Sequence, residues 1–193
     1  MARYLLLHAF PFDGTMWESV AARLRVQGHE VLAPDLRGFG SAPLGDRGPA
    51  IDVLVDDMLA LLGDEPVAIA GCSMGGYVAQ GIAARRPDLV AALALVDTKA
   101  TADPDAARAH RERVAGLAEG GDDWSAGMIA GLLGETTRRT RPDVVATVEL
   151  PSPWHRERPL PGPSGPWPRA RMRERPWRCS RHLSRWSWGR KTR

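Results

Sequence analysis

Four short apolar runs punctuate the first hundred residues, each closed by turn-forming residues: "RYLLLHAF" before Pro11, then "HEVLAPD", "PVAIAGC" and "LVAALALVD". Runs of this kind predict strands buried on both faces of a parallel sheet. Between them the spacing becomes helical. After Pro49, apolar side chains fall at Ile51, Leu54, Val55, Met58, Leu59 and Leu62, one face of a helix that Gly63 ends. Trp17, Val20, Ala21 and Leu24 form a weaker copy of the pattern. Strands alternating with helices require crossover connections, which predicts an α/β fold: a mostly parallel sheet flanked by helices.

Beyond Asp97 the pattern holds helices without strands. Asp103 is placed to cap a helix with Pro104 in its first position; Ala107, His110, Val114 and Leu117 share its apolar face, and Gly120 and Gly121 end it. A second helix is expected after Asp123, carrying Trp124, Met128, Ile129, Leu132 and Leu133. The expected organisation is a core over 1–99, a partial helical cap over 100–150 and a tail over 151–193.

Charge sharpens that last boundary. Residues 1–150 hold 14 Lys and Arg against 21 Asp and Glu, a net −7, whereas residues 151–193 hold 12 against 2, a net +10. The tail also has 8 of the 16 prolines and 5 of the 7 tryptophans, with no Val, Ile or Asp, so no amphipathic period runs through it. Such a segment is expected to be disordered, because it buries too little apolar surface to offset the entropy of ordering. Arg outnumbers Lys 24 to 2 in the chain, a sign of GC-rich coding DNA. The tail's Arg, Pro and Trp texture suggests the hypothesis of a change of reading frame near residues 148–151, with a genuine tail as the alternative. Arg interleaved with Trp also suits phosphate backbones and stacked bases, so the competing class is a non-catalytic protein whose tail binds nucleic acid or an acidic partner.

Other classes find little support. Cys72 and Cys179 are too few for a disulfide framework and lack metal-ligand spacing. No apolar run is long enough to span a bilayer, and "MARYLLLHAF" is too short for a signal peptide, which predicts a soluble, cytoplasmic protein.

The chemistry concentrates at Gly71-Cys72-Ser73-Met74-Gly75, a G-x-S-x-G motif lying after a predicted strand and before the helix "GGYVAQGIAARR". A sharp strand-to-helix turn at Ser73 forces an unusual backbone, and the flanking glycines supply the room it needs. The serine hydroxyl then stands at the end of the strand, with a helix N-terminus to favour developing negative charge. Cys72 fits a small elbow residue better than a second nucleophile. With two lysines in the chain and no G-x-x-x-x-G-K-[ST], a phosphate loop is excluded.

Three stretches, "LLLHAFPFDGTMW", "VLAPDLRGFGSA" and "VAIAGCSMGGYVAQGIAARRPDLVAALALVDT", resemble the α/β-hydrolase superfamily, notably its small esterases, enol-lactonases and cofactor-free haloperoxidase-like members. The resemblance covers about residues 3–148. It implies a serine hydrolase acting on a small carboxylic ester or lactone, without metal or organic cofactor. Ser73 would be the nucleophile, and the backbone N–H groups of Met74 and Phe10 the oxyanion hole. Where the family usually has His-Gly, this chain has His8-Ala9, which matters only if that position requires positive φ. His8 is expected to support the loop; Asp35, Arg37 and Gly38 are expected to shape a turn. Phe12 and Trp124 are candidates for the acyl pocket, with Phe10 and Met74 beside them, and core packing is the alternative for each.

The same resemblance places an acid and then a histidine after further strands. No such strands follow here. After Asp143 the chain has no Asp, and Glu157, Glu174, His155 and His182 sit in the Arg- and Pro-rich tail. His110 is expected to pack against the body. Asp97, at the end of the strand after the elbow helix, is the stand-in acid. The expected partner is a small substrate, with no membrane and no nucleic acid; oligomeric state is left open. Without the base, activity is expected to be impaired, and missing strands would leave an exposed sheet edge.

Overall fold

The four apolar runs form β1 (Arg3–Leu7), β2 (Glu30–Leu32), β3 (Val67–Cys72) and β4 (Val90–Val96), paired in parallel as one sheet of order β2-β1-β3-β4. The computed structural model describes residues 1–47, 50–102, 104–120 and 131–149. Trp124 and the tail over 151–193 lie outside the described residues, as does Asp103. Among the described residues, no helix is long and apolar enough to cross a membrane.

Helices α1 (Glu18–Val26), α2 (Ile51–Leu62) and α3 (Met74–Arg85) make the crossovers. In α2 the predicted face is the buried one: Leu54, Val55, Met58 and Leu62 enter the core, and Ile51 and Leu59 pack against it from its margin. Gly63 ends the helix with φ +66, a conformation glycine adopts without steric cost. Helices α2 and α3 pack together, and Val55 fills the space above Gly81 that a β-carbon would occupy.

Three expectations need correction. Val20 is 42% exposed rather than packed. The helix begins only at Glu18, after a 3-10 turn over Gly14–Trp17, so the 3.6-residue period counted from Trp17 does not carry into the helix, and Ala21 rather than Val20 takes the buried face. β1 has both faces buried, as predicted, but β4 does not: Leu93, Leu95 and Val96 are each more than 40% exposed. Among the described residues β4 pairs with β3 alone, so it forms a bare edge. His110 lies on α4 (Asp105–Gly120), yet its ring is exposed and bonded to Arg113 at 2.8 Å. A polar ring satisfied one turn along its own helix gains nothing from burial.

Strand order fixes where a site can form. From β1 the chain steps outward to β2, whereas from β3 it steps the other way to β4. Right-handed crossovers then place α1 on one face and α2 with α3 on the other. The connections diverge after β1 and β3, which are neighbours with Leu7 opposite Gly71. That divergence opens a crevice at the C-terminal ends of the two strands, the usual ligand position in open α/β sheets.

The buried face of α2 gives a direct test. Leu54→Ala removes a fully buried side chain and is expected to cost about 2–5 kcal/mol in urea unfolding. Leu61→Ala on the same helix, 45% exposed, is expected to stay within about 0.5 kcal/mol of the parent. Equal losses in the two would contradict this packing.

Candidate active site

Two loops meet in the crevice, the elbow after β3 and residues 8–12 after β1. At the elbow Ser73 has φ +48 and ψ −109, a left-handed conformation that non-glycine residues rarely adopt. A β-carbon on Gly71 would collide with the carbonyl of Gly75, and one on Gly75 with the carbonyl of Leu7. Both glycines are thus required by close backbone approach, as the motif predicts. The turn is stitched to the end of β4: Ser73 N–H donates to the Val96 carbonyl at 3.0 Å, and Thr98 Oγ1 donates to the Ser73 carbonyl at 2.8 Å. Met74 begins α3, so its amide has no carbonyl within the helix to bond. Its side chain is 1% exposed and belongs to the core rather than to a pocket.

Residues 8–12 form a tight turn around the Ala9 carbonyl, which accepts His8 Nδ1–H at 3.0 Å and Phe12 N–H at 2.9 Å. His8 is fully buried, and its Nε2 accepts Leu36 N–H at 2.9 Å. With Nε2 occupied by a donor, the ring is neutral with its proton on Nδ1, and both nitrogens are committed. His8 therefore ties the loop after β1 to the loop after β2 and cannot take a proton from Ser73. Burial pushes its pKa below the ordinary value, against the Ala9 hydrogen bond and the charge of Asp35. Among the described residues only Ser73 and Asp97 combine a side chain with positive φ, so alanine at position 9 introduces no strain. Phe10 is half-buried, its ring edge-on to Phe39 at 5.8 Å. Phe12 is half-buried in the same loop.

Asp35 clamps this arrangement from below. Its carboxylate accepts Gly14 N–H at 2.9 Å and both Ser41 N–H and Ser41 Oγ–H at 2.7 Å. Burial alone would raise its pKa, but those hydrogen bonds outweigh it and hold the group below the ordinary carboxylate value. Arg37 makes a two-pronged contact with Asp57, at 2.7 and 2.6 Å, and reaches the Leu44 carbonyl at 3.1 Å. Gly38 has φ +80. As expected, these three residues shape turns.

Asp97 follows β4 with φ +44 and is exposed. It stands between Val96 and Thr98, the two residues that hold the Ser73 backbone. Cys72 is half-buried; burial first, then the Asp97 charge, raises its thiol pKa, which disfavours a thiolate. Among the described residues no histidine hydrogen-bonds the Ser73 hydroxyl. Two features escape sequence reasoning: Thr98, and Met16, whose sulfur accepts Ala9 N–H at 3.1 Å. Each meets a backbone group brought near by folding, which leaves no local pattern.

A parallel sheet with a strained serine at the switch point defines a hydrolase-type α/β protein. The family described as alpha/beta hydrolase fold matches residues 5–150, and the chain belongs to that family. Lipase LipV of Mycobacterium tuberculosis is 41% identical over 105 residues, covering 53% of this chain and 39% of that protein. A pimeloyl-[acyl-carrier protein] methyl ester esterase of Aromatoleum aromaticum is 36% identical over 94 residues, covering 49% and 36%. Among solved structures, a thermophilic esterase from Thermogutta terrifontis superposes with a TM-score of 0.70 at 30% identity, over 79% of this chain and 59% of that one. The chain thus spans well under half the length of these two curated relatives.

His8 predicts a pH dependence. Its folded pKa lies below its unfolded value of about 6.5. Between the two, the unfolded chain binds a proton that the folded chain does not, so stability falls as pH drops below about 6.5. The urea midpoint is expected to decline from pH 7 to pH 5, and less steeply in His8→Gln. An identical decline in both proteins would contradict the assignment.

Proposed function

We propose that this chain is a serine hydrolase body for small carboxylic esters or lactones, with Ser73 as the nucleophile that forms an acyl-enzyme. The observation that carries this reading is Ser73 at φ +48 between Gly71 and Gly75, at the switch point beside the 8–12 loop. The names of the relatives, a lipase and two esterases, support an ester as the substrate class.

In this reading the Ser73 hydroxyl attacks the ester or lactone carbonyl, and the backbone N–H groups of Met74 and Phe10 receive the oxyanion. Donors preset where charge develops each lower such a barrier by about 3 kcal/mol. Phe12 offers an apolar ring to the acyl group, and Trp124 is a second candidate for that surface. Asp97 is the candidate acid because its neighbours hold the elbow. No base accompanies it among the described residues, so Ser73 keeps its proton and is a weak nucleophile. Turnover is impaired as a result, and what remains is binding and oxyanion stabilisation, about 10³–10⁴-fold over water in a comparable triad.

An activated ester separates nucleophile from mere binding. After incubation with p-nitrophenyl acetate and acid quenching, mass spectrometry is expected to find one acetyl group on the peptide holding Ser73. In Ser73→Ala that adduct is absent. Unmodified Ser73 peptide together with equal hydrolysis by both proteins would refute the assignment.

A further inference from the structure

The Ala9 peptide is held at both ends, and one of the groups holding it is chemically reactive. While the Ala9 carbonyl accepts His8 and Phe12, its amide donates to the Met16 thioether at 3.1 Å. Sulfur of this kind is a weak acceptor, so its placement must come from elsewhere. Met16 sits in the 3-10 turn Gly14–Trp17, and that turn is pinned. Asp13 Oδ1 accepts Thr15 N–H at 2.9 Å, the Asp13 carbonyl accepts Met16 N–H at 3.2 Å, and Gly14 N–H donates to Asp35 at 2.9 Å. Gly14 also lies so close to the Ala33 carbonyl that no β-carbon fits. Asp35, which clamps the loop after β2, thereby sets the sulfur against the loop after β1.

Met16 is also open to solvent. It is 38% exposed, whereas Met58 and Met74 are 5% and 1% exposed in the core. We propose that Met16 is a positioning residue for the 8–12 loop and an oxidation site through which hydroperoxides reset that loop. The sulfur lone pair attacks the terminal oxygen of the hydroperoxide. An S–O bond forms as the O–O bond breaks, and the hydroxyl proton passes to the leaving oxygen, which departs as water or an alcohol. Sulfur loses two electrons and becomes the sulfoxide, while the peroxide gains them.

Oxidation turns an apolar thioether into a polar group with its acceptor on oxygen rather than sulfur. The pinned 3-10 turn cannot retreat to make room, so the Ala9 amide loses its contact. Phe10, the next residue, then shifts its own amide. The consequence for an oxyanion hole rests on the proposed function; the sulfur-to-amide contact and its oxidation do not.

The test uses the full 193-residue chain. Hydrogen exchange at the Ala9 amide is measured before and after hydrogen peroxide, with peptide mapping of each methionine. Met16 is expected to gain one oxygen ahead of Met58 and Met74. Exchange at Ala9 then quickens by about fivefold, the scale of one lost hydrogen bond, while the Leu5–Leu7 amides hold their rates. Met16→Leu shows the faster Ala9 exchange with or without peroxide; Met16→Gln, whose amide oxygen stands one bond beyond the sulfur's place as the sulfoxide oxygen does, shows the fast rate under both conditions. Unchanged Ala9 exchange in Met16→Leu, slow exchange in Met16→Gln, or oxidation of Met58 or Met74 as quickly as Met16 would each overturn the proposal. Failure to acylate Ser73 with these exchange results intact removes the hydrolase reading and leaves Met16 as assigned.

Discussion

Everything at this site depends on backbone touching backbone at the elbow. Positions 71 and 75 sit so close to the carbonyls of Gly75 and Leu7 that neither admits a β-carbon. Only with both glycines can α3 start against the end of β1, and only then does Ser73 project from the turn with φ +48. The strain is sustained by its neighbours: Val96 and Thr98 bond the Ser73 backbone on the side of β4, so the helix, two strands and the elbow are one mechanical unit. Such local strain persists where the surrounding structure over-determines it.

The loop after β1 is held with equal economy. A neutral, buried His8 joins it to Leu36, and Asp35 joins the following turn to Gly14 and Ser41. Two segments distant in sequence, residues 8–14 and 35–41, are therefore joined beyond the ends of β1 and β2. This network explains why His8 is no base: both ring nitrogens are consumed in holding the loop after β1. Buried hydrogen bonds of this kind are costly to leave unmade, so recruiting His8 for proton transfer would unmake the loop it supports.

Much of this was legible in the chain before folding, for a physical reason. The continuous strand runs and the periodic Leu54–Leu62 face are local patterns, and Gly71 answers a steric demand from Gly75, four residues on. What was illegible depends on distant partners or on neighbours outside the described residues. Ala9 is an example: its tolerance of a side chain follows from its φ, which no composition reveals. The exposed faces of Leu93, Leu95 and Val96 are another, because the "LVAALALVD" run reads as buried whether or not a further strand covers it. Met16 reads as a stray apolar residue, yet its sulfur meets an amide seven residues earlier.

The central claim is the proposal that Ser73 stands in a preset oxyanion site with no base beside it among the described residues. Its most direct test is the rate at which a fluorophosphonate labels the Ser73 peptide, with and without added imidazole as a substitute base. The account predicts slow labelling that imidazole accelerates in the parent chain and leaves undetectable in Ser73→Ala. A folded chain that takes no label under either condition, or equal labelling of both proteins, would contradict it.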